Sequence, residues 1–338
     1  MTVTVRSFAK INLGLYVGAA RADGFHDLRT IYQTIALHDV IRVRVARGTG
    51  IEIVCADPRV PCDKTNTCHR IAERVMDELD AAGKVTIEIE KRLPVQGGLG
   101  AASSNAVATM LALERALKKR LSQAARLRIA ADVGSDLPQF LVGGTSLGVG
   151  RGEEVYPMPD LPAIPLVVVT PEIGVSTPKA FADWDALASG ERMKASIATR
   201  DQLTHSHASD RLLEVGRALS TWLMLAKKDL PHAGAPAKGG SRAGSLLLDL
   251  VRTGIENDFE RVVFPQYPEL RDIKGALERA GAAYASLSGS GSTLYGLFRT
   301  REAAAKAVVP LRKQGLKAQA TATLARAQYW KRLAVSGF

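Results

Sequence analysis

The sequence predicts an α+β chain of two units, on three observations. Its 338 residues are too many for one ordinary core and few for three. A run of strand-like segments precedes the first long helical pattern, without the strand-helix alternation of a doubly wound sheet. A proline-rich connection, PDLPAIP at 159–165, interrupts the pattern near mid-chain and divides it into units of 1–160 and 161–338.

Taken in order, residues 2–6 and 9–17 alternate as strands do, with Ile11, Leu13 and Leu15 on one side and Lys10, Asn12 and Gly14 on the other. Lys10 and Asn12 therefore share a face. RADGFHDL supplies a turn on Asp23-Gly24, RTIYQTIALHDVIRVRVA follows, and GIEIVCA is expected to return across a Gly-containing hairpin, making four strands before the first helix. NTCHRIAERVMDELDAAG sets Ile71, Val75 and Leu79 at helical spacing, with Gly83 as a stop. KVTIEIEKRL is a strand with Val85, Ile87 and Ile89 inward. Helices follow through Val107, Met110, Leu111, Leu113 and Leu117 and through LSQAARLRIAADVG.

In the second unit LVVVTP is a strand, helices fall around 202–227 and 266–281, and AYASLSGSGSTLYGLF is a strand. REAAAKAVVPLRKQG is helical and KAQATATLARAQ is a final strand. KKDLPHAGAPAKGGSRAGS, 227–245, is rich in Gly, Ala, Pro and Lys and reads as a flexible surface insertion.

Hydrophobic content of 46% with 23% charged residues describes a globular chain. No apolar run of about 18 residues is present, so no spanning helix is predicted. The opening MTVTVRSFAKINLGLYV reads as strand rather than signal peptide, which predicts a cytoplasmic protein. Lys and Arg outnumber Asp and Glu by 45 to 34, for a formal charge of +11. These positive residues are scattered with no aromatic ladder among them, so a solvated basic surface is the better reading than a nucleic-acid groove. Cys55, Cys62 and Cys68 are too few and uneven for a disulfide framework, and Cys62, Cys68 and His69 lack the paired spacing of a zinc site. His38, His69, His205, His207 and His232 read as surface or core histidines.

The stretch LPVQGGLGAASSNA carries the chemistry. It is not the P-loop pattern, and its likeness to the dinucleotide fingerprint fails at Ser103, with no acid-ended strand following. Gly97, Gly98 and Gly100 permit close backbone approach and positive φ, while Ser103 and Ser104 open a helix whose free N–H groups attract anions. Phosphate binding is the favoured reading. A structural strand-to-helix turn, capped by Ser103, Ser104 or Asn105, is the alternative. Lys10 and Asn12 leave one strand on the same side; read from the residues alone, a pairing of Lys10 with Asp136, in a loop after a helix, is more often a surface ion pair of small consequence than a catalytic one. SGSGS, 288–292, between strand and helix patterns, is either an ordinary turn or a cover over the phosphates or the substrate's diphosphate.

FAKINLGLYV, ADGFHDL, LPVQGGLGAASSNA, GSDLPQF and SLSGSGSTLYGLF occur in the order and approximate spacing of the GHMP kinases, which the chain resembles over most of residues 6–310. AKIN and ADGFH together narrow the resemblance to the branch that phosphorylates a cytidine-diphosphate-linked methylerythritol from ATP, on the non-mevalonate route to isoprenoid precursors. The resemblance implies a ribosomal-protein-like N-terminal domain and a ferredoxin-like C-terminal domain, with the active site in the cleft between them. It further implies that Asp136 takes the proton from the substrate hydroxyl, with Lys10 beside it and Asn12 on the substrate side. Pro94, Val95, Gln96, Gly97, Gly98, Leu99, Gly100, Ala101, Ala102, Ser103 and Ser104 correspond to the ATP phosphate loop. Asn66 falls where the nucleotide is contacted, and Phe25, His26 and Phe181 correspond to the wall that holds cytosine. Magnesium is expected with ATP, as phosphoryl transfer generally requires.

The sequence departs from the family pattern in three places, one of them the insertion at 227–245, which has no counterpart there. Ala101 and Ala102 stand where glycines are usual, which fits if their φ angles are negative. Phe25 stands where tyrosine is common, which keeps the stacking face and loses a hydroxyl. The alternative within the superfamily is a mevalonate or homoserine kinase, which ADGFH disfavours. A basic RNA-binding protein is the alternative outside it, and would have no use for Asp136.

Overall fold

The computed structural model describes residues 1–161, 163–198 and 255–336, with the side chains of 190–198, 335 and 336 left aside. The insertion at 227–245, the helix expected around 202–227, and His205, His207 and His232 lie outside the described residues.

The two segments expected at 2–6 and 9–17 are one strand, β1 (Thr2–Ala20), antiparallel to β2 (His26–Ala46) with register irregularities around Phe8/Lys10 and Asn12/Gly14. The hairpin expected between β2 and β3 (Ile51–Cys55) does not form. Instead β4 (Lys84–Glu90) lies between them, antiparallel to β2 and parallel to β3, so three strands rather than four precede the first helix. Val85, Ile87 and Ile89 are all buried, whereas β3 exposes Glu52 and Val54, so the more apolar strand takes the inner position. β5 (Thr145–Val149) pairs with the first half of β2, and β6 (Glu154–Pro157) pairs with β5. The terminal strand β11 (Ala334–Ser336) returns to pair with β1.

Helices cover one face of this sheet. The first, α1 (Thr67–Glu78), begins where Asn66 Oδ1 accepts the Cys68 N–H at 2.8 Å and ends at Leu79, before Gly83. It packs Ile71 and Val75 against Val3, Val5, Ile41 and Ile87. The second, α2 (Ala101–Leu117), is buried along nearly its whole length, and α3 (Gln123–Val133) and α4 (Pro138–Val142) complete the layer.

A second, antiparallel sheet runs in the order β10 (Ala318–Ala322), β7 (Pro165–Val169), β9 (Leu294–Leu297), β8 (Tyr284–Leu287). The apolar run of β7 splits by period two. Val167 and Val169 face a core shared with α7 (Pro268–Arg279) and α8 (Arg301–Lys313), while Leu166 and Val168 pack with Ile11, Leu13 and Ile35 of the first sheet. Burying such a side chain stabilises by about 1.5–3 kcal/mol, so this seam binds the two sheets into one body. The remaining described helices are α5 (Thr177–Ala198), α6 (Glu260–Gln266) and α9 (Arg326–Leu333).

Two further expectations are corrected here. SGSGS joins β8 to β9 as a hairpin loop, not a strand to a helix. KAQATATLARAQ is strand only to Ala322, and α9 starts at Arg326. Tyr329 on α9 is 1% exposed and donates to the Phe140 carbonyl at 2.6 Å, a tertiary anchor that outweighs the alternating pattern.

Candidate active site

A cleft of about 950 Å³ opens between the glycine loop, the β1–β2 ribbon and the start of α5. Pro94 through Ala102 line it, and Ser103 and Ser104 do not. The helix α2 is capped by Gly100 at φ 66° with no side-chain hydrogen bond. Ser103, Ser104 and Asn105 therefore lie inside the helix rather than capping it, and buried Ser104 Oγ accepts from Ser7 at 2.7 Å. The first helical N–H groups are left without a side-chain cap, the arrangement that suits an anion. Ala101 and Ala102 are helical and neither has a positive φ, so both fit where glycines are usual.

The loop is clamped from two sides. Ser288 Oγ donates to the Gly98 carbonyl at 3.0 Å and the Thr293 N–H to the Gly97 carbonyl at 3.1 Å, both from the SGSGS hairpin. From β1, the Lys10 N–H donates to the Leu99 carbonyl at 3.0 Å. Gly98 has φ 82°, and a Cβ there would collide with the Ser288 carbonyl oxygen. That glycine serves the close approach of two loops.

Lys10 and Asn12 share a face of β1, as their spacing requires, and Lys10 Nζ donates to Asn12 Oδ1 at 2.6 Å. Asn12 Nδ2 donates in turn to Thr30 Oγ1 at 2.7 Å, which fixes the amide's orientation. Asp136 reaches the same point from the turn between α3 and α4, where Pro138 occupies the first helical position and the Leu137 N–H donates to the Gly134 carbonyl at 3.1 Å. Its Oδ2 lies 3.3 Å from Lys10 Nζ. Its Oδ1 accepts from the Tyr32 hydroxyl at 3.0 Å. Burial first, then the Asp136 charge, push that hydroxyl well above the ordinary phenol range, so Tyr32 stays a donor.

At the other end His26 stacks on Phe181, with ring centres 4.9 Å apart and planes 24° apart, and its Nε2 lies 2.8 Å from Asp185 Oδ1. Phe181 in turn meets Phe259 edge-on at 4.9 Å. Phe25 stands apart from the other two rings, 48% exposed, with the Arg151 guanidinium 4.8 Å from its ring centre. Asn66 lines the cleft but is also held as the cap of α1, with Nδ2 donating to the Pro61 carbonyl at 2.6 Å. Among the described residues no group of three or more His, Cys, Asp or Glu side chains stands ready for a metal, and no helix is long and apolar enough to cross a membrane. Cys55, Cys62 and Cys68 are free thiols, and burial pushes the Cys68 thiol up to about 12.

Comparison with known proteins identifies the family. The models of the GHMP kinase N-terminal and C-terminal domains match residues 66–144 and 242–317. A 4-diphosphocytidyl-2-C-methyl-D-erythritol kinase of Solibacter usitatus is 39% identical over 90% of this chain and 84% of its own. The chain belongs to the 4-diphosphocytidyl-2-C-methyl-D-erythritol kinase family of GHMP kinases. A crystal structure of a 4-(cytidine 5'-diphospho)-2C-methyl-D-erythritol kinase superposes on this family member with a TM-score of 0.68 at 26% identity, covering 95% of this chain and 98% of that one. A homoserine kinase from Cytophaga hutchinsonii shares the fold, with a TM-score of 0.65 at 21% identity over 96% of this chain and 95% of that one.

In this kinase two groups at the site escaped sequence reading, and a third, Ser288, was legible only as part of its loop. Tyr32 stands opposite Asn12 on β2, but only the strand register reveals the pairing. Asp39 is fully buried and accepts from the Arg92 and Leu93 N–H groups at 2.7 Å each, from Lys91 Nζ at 2.8 Å and from Asn105 Nδ2 at 3.0 Å. It ties the stem of the glycine loop to α2, and the signal available was an acid directly ahead of the apolar pair Val40-Ile41 within a strand. Ser288, in the SGSGS loop, holds the Gly98 carbonyl.

Proposed function

We propose that this kinase transfers the γ-phosphoryl group of ATP to the 2-hydroxyl of 4-diphosphocytidyl-2-C-methyl-D-erythritol, in isoprenoid precursor synthesis by the non-mevalonate route. The observation that carries the reading is the Lys10–Asp136 pair at 3.3 Å, set in one cleft between the glycine loop and the His26–Phe181 wall.

Asp136 accepts the proton of the substrate hydroxyl as its oxygen bonds the γ-phosphorus; the bond between that phosphorus and the bridging oxygen breaks, and ADP leaves. Lys10, aimed by Asn12, offers positive charge to the transferring group. Pro94 to Ala102 and the open end of α2 take the ATP phosphates, Ser103 and Ser104 support them from within the helix, and Asn66 borders the nucleotide. Among the described residues Asp136 is the one carboxylate lining the cleft and serves as the base, so phosphate oxygens and water are the donors left for magnesium. A magnesium ion bound with ATP would neutralise phosphate charge. Phe25, His26 and Phe181 receive the cytosine, with Asp185 orienting the His26 ring. We take 1–160 and 161–338 as the two units, a small molecule rather than nucleic acid as the partner, and the cytoplasm as the place of action.

The test is ATP turnover with and without the cytidine-linked alcohol, followed by competition against that alcohol. Cytidine diphosphate is expected to inhibit better than uridine diphosphate, and Phe181→Ala to weaken use of the alcohol by roughly tenfold to a hundredfold, since stacking a base on an aromatic ring contributes about 1–3 kcal/mol. Equal inhibition by the two diphosphates would move a mevalonate or homoserine kinase ahead.

A further inference from the structure

Arg151 sits at the tip of the tight turn between β5 and β6, where Gly150 and Gly152 have φ 67° and 99°. The turn is pinned on both flanks. The Leu28 N–H donates to the Gly150 carbonyl at 2.6 Å, and the Tyr32 hydroxyl reaches the Gly152 carbonyl at 3.4 Å. That same hydroxyl donates to Asp136 at 3.0 Å, so the turn and the Asp136 carboxylate share one anchor. Glu153 holds Arg151 from behind: Oε1 accepts Nε at 3.0 Å and Oε2 accepts the backbone N–H at 2.7 Å. The guanidinium carbon lies 4.8 Å from the Phe25 ring centre, and the side chain lines the cleft. With Nε committed to Glu153, the two terminal nitrogens have no hydrogen-bond partner among the described residues.

We propose that Arg151 is a specificity-determining residue that binds the diphosphate joining cytidine to the alcohol, an inference that rests on the substrate reading above. If the base lies at Phe25 and His26 and the reacting hydroxyl at Asp136, the linker must pass between them. The turn that carries Arg151 spans that interval: the guanidinium lies over Phe25 at one end, and the neighbouring Gly152 carbonyl lies beside the Tyr32 hydroxyl that bonds Asp136 at the other. A guanidinium held through Nε presents its outer N–H groups as a fork that matches phosphate oxygens. The other cations lining the cleft are engaged: Lys10 by Asn12 and Asp136, Lys91 by Asp39, Arg59 by Asp57.

The experiment compares cytidine diphosphate with cytidine monophosphate as competitors of the alcohol at saturating ATP, in wild type, Arg151→Ala and Arg151→Lys. Wild type is expected to prefer the diphosphate by about tenfold or more, the usual worth of hydrogen bonds to a charged group. Arg151→Ala should abolish most of that preference while leaving monophosphate inhibition and the KM for ATP near wild type. Arg151→Lys should recover part of it, because an ammonium restores the charge without the fork. An unchanged preference in Arg151→Ala overturns the proposal, and so does a rise in the KM for ATP as large as the loss of diphosphate inhibition. Uridine mono- and diphosphates separate the two readings: if they match the cytidine series, the cytosine slot fails while the diphosphate preference still judges Arg151. If no nucleotide competes with the alcohol, both fall.

Discussion

Lys10 Nζ lies 3.3 Å from Asp136 Oδ2, with the lysine side chain 4% exposed and the aspartate 38% exposed. The asymmetry separates the pair from a surface ion pair, in which both ends are solvated and little is gained. Here the cation is placed by the fold, with Asn12 at 2.6 Å as its second partner, while the carboxylate stays open to a ligand.

Asp136→Asn and Lys10→Met are each expected to lower kcat by about a hundredfold or more, the usual worth of a general base or of a group that stabilises transferring charge. Tyr32→Phe removes the donor to Asp136 Oδ1 and should lower kcat by about tenfold with the KM for ATP unchanged. Steady-state kinetics on variants that melt like wild type checks this, and near-normal kcat in folded Asp136→Asn would exclude Asp136 as the base.

Gly98→Val would drive a branched side chain into the SGSGS loop at a positive φ. The variant should lose the loop-to-loop clamp, lower the melting temperature and impair both substrates. A stable Gly98→Val with a selective ATP defect would show that Gly98 faces the phosphates after all.

Asp39→Asn keeps the shape but gives up the charge that pairs with Lys91 and can accept only at Oδ1 what two carboxylate oxygens accept now. The glycine-loop stem should loosen, raising the KM for ATP about tenfold with a smaller change in the KM for the alcohol. Equal changes in both constants would mark Asp39 as a general stability residue.

Alkaline pH offers a test of burial. The Tyr32, Tyr284, Tyr295 and Tyr329 hydroxyls are all driven upward, chiefly by burial. An unfolded chain releases those protons near pH 10, the folded chain only above it, so stability is full below about pH 10 and falls as pH rises through the folded values. The melting temperature should drop steeply above about pH 10, with tyrosinate absorbance from these four rings appearing only on unfolding. If all seven tyrosines ionise near pH 10 in the folded protein, the burial account fails.

Local patterns were enough for much of the fold. The period-two spacing that sets Lys10 and Asn12 on one face, the helical spacing of Ile71 and Val75 and the three glycines ahead of α2 depend on neighbours in the chain, and each survives in the structure. The family likewise follows from short motifs whose residues are close in sequence. What the tertiary structure alone decided is which segments meet. β4 displaces β3 from β2 because burial ranks strands by apolar face, which no turn signal encodes. Tyr32 joins Asp136 across 104 positions, and Ser288 joins Gly98 across 190, through contacts set by strand register and by two loops that pack only after both sheets have formed. Arg151 and Phe25 come together for the same reason: each sits in a turn whose place is fixed by the strands it connects, and their contact at the cleft exists only once those strands are paired.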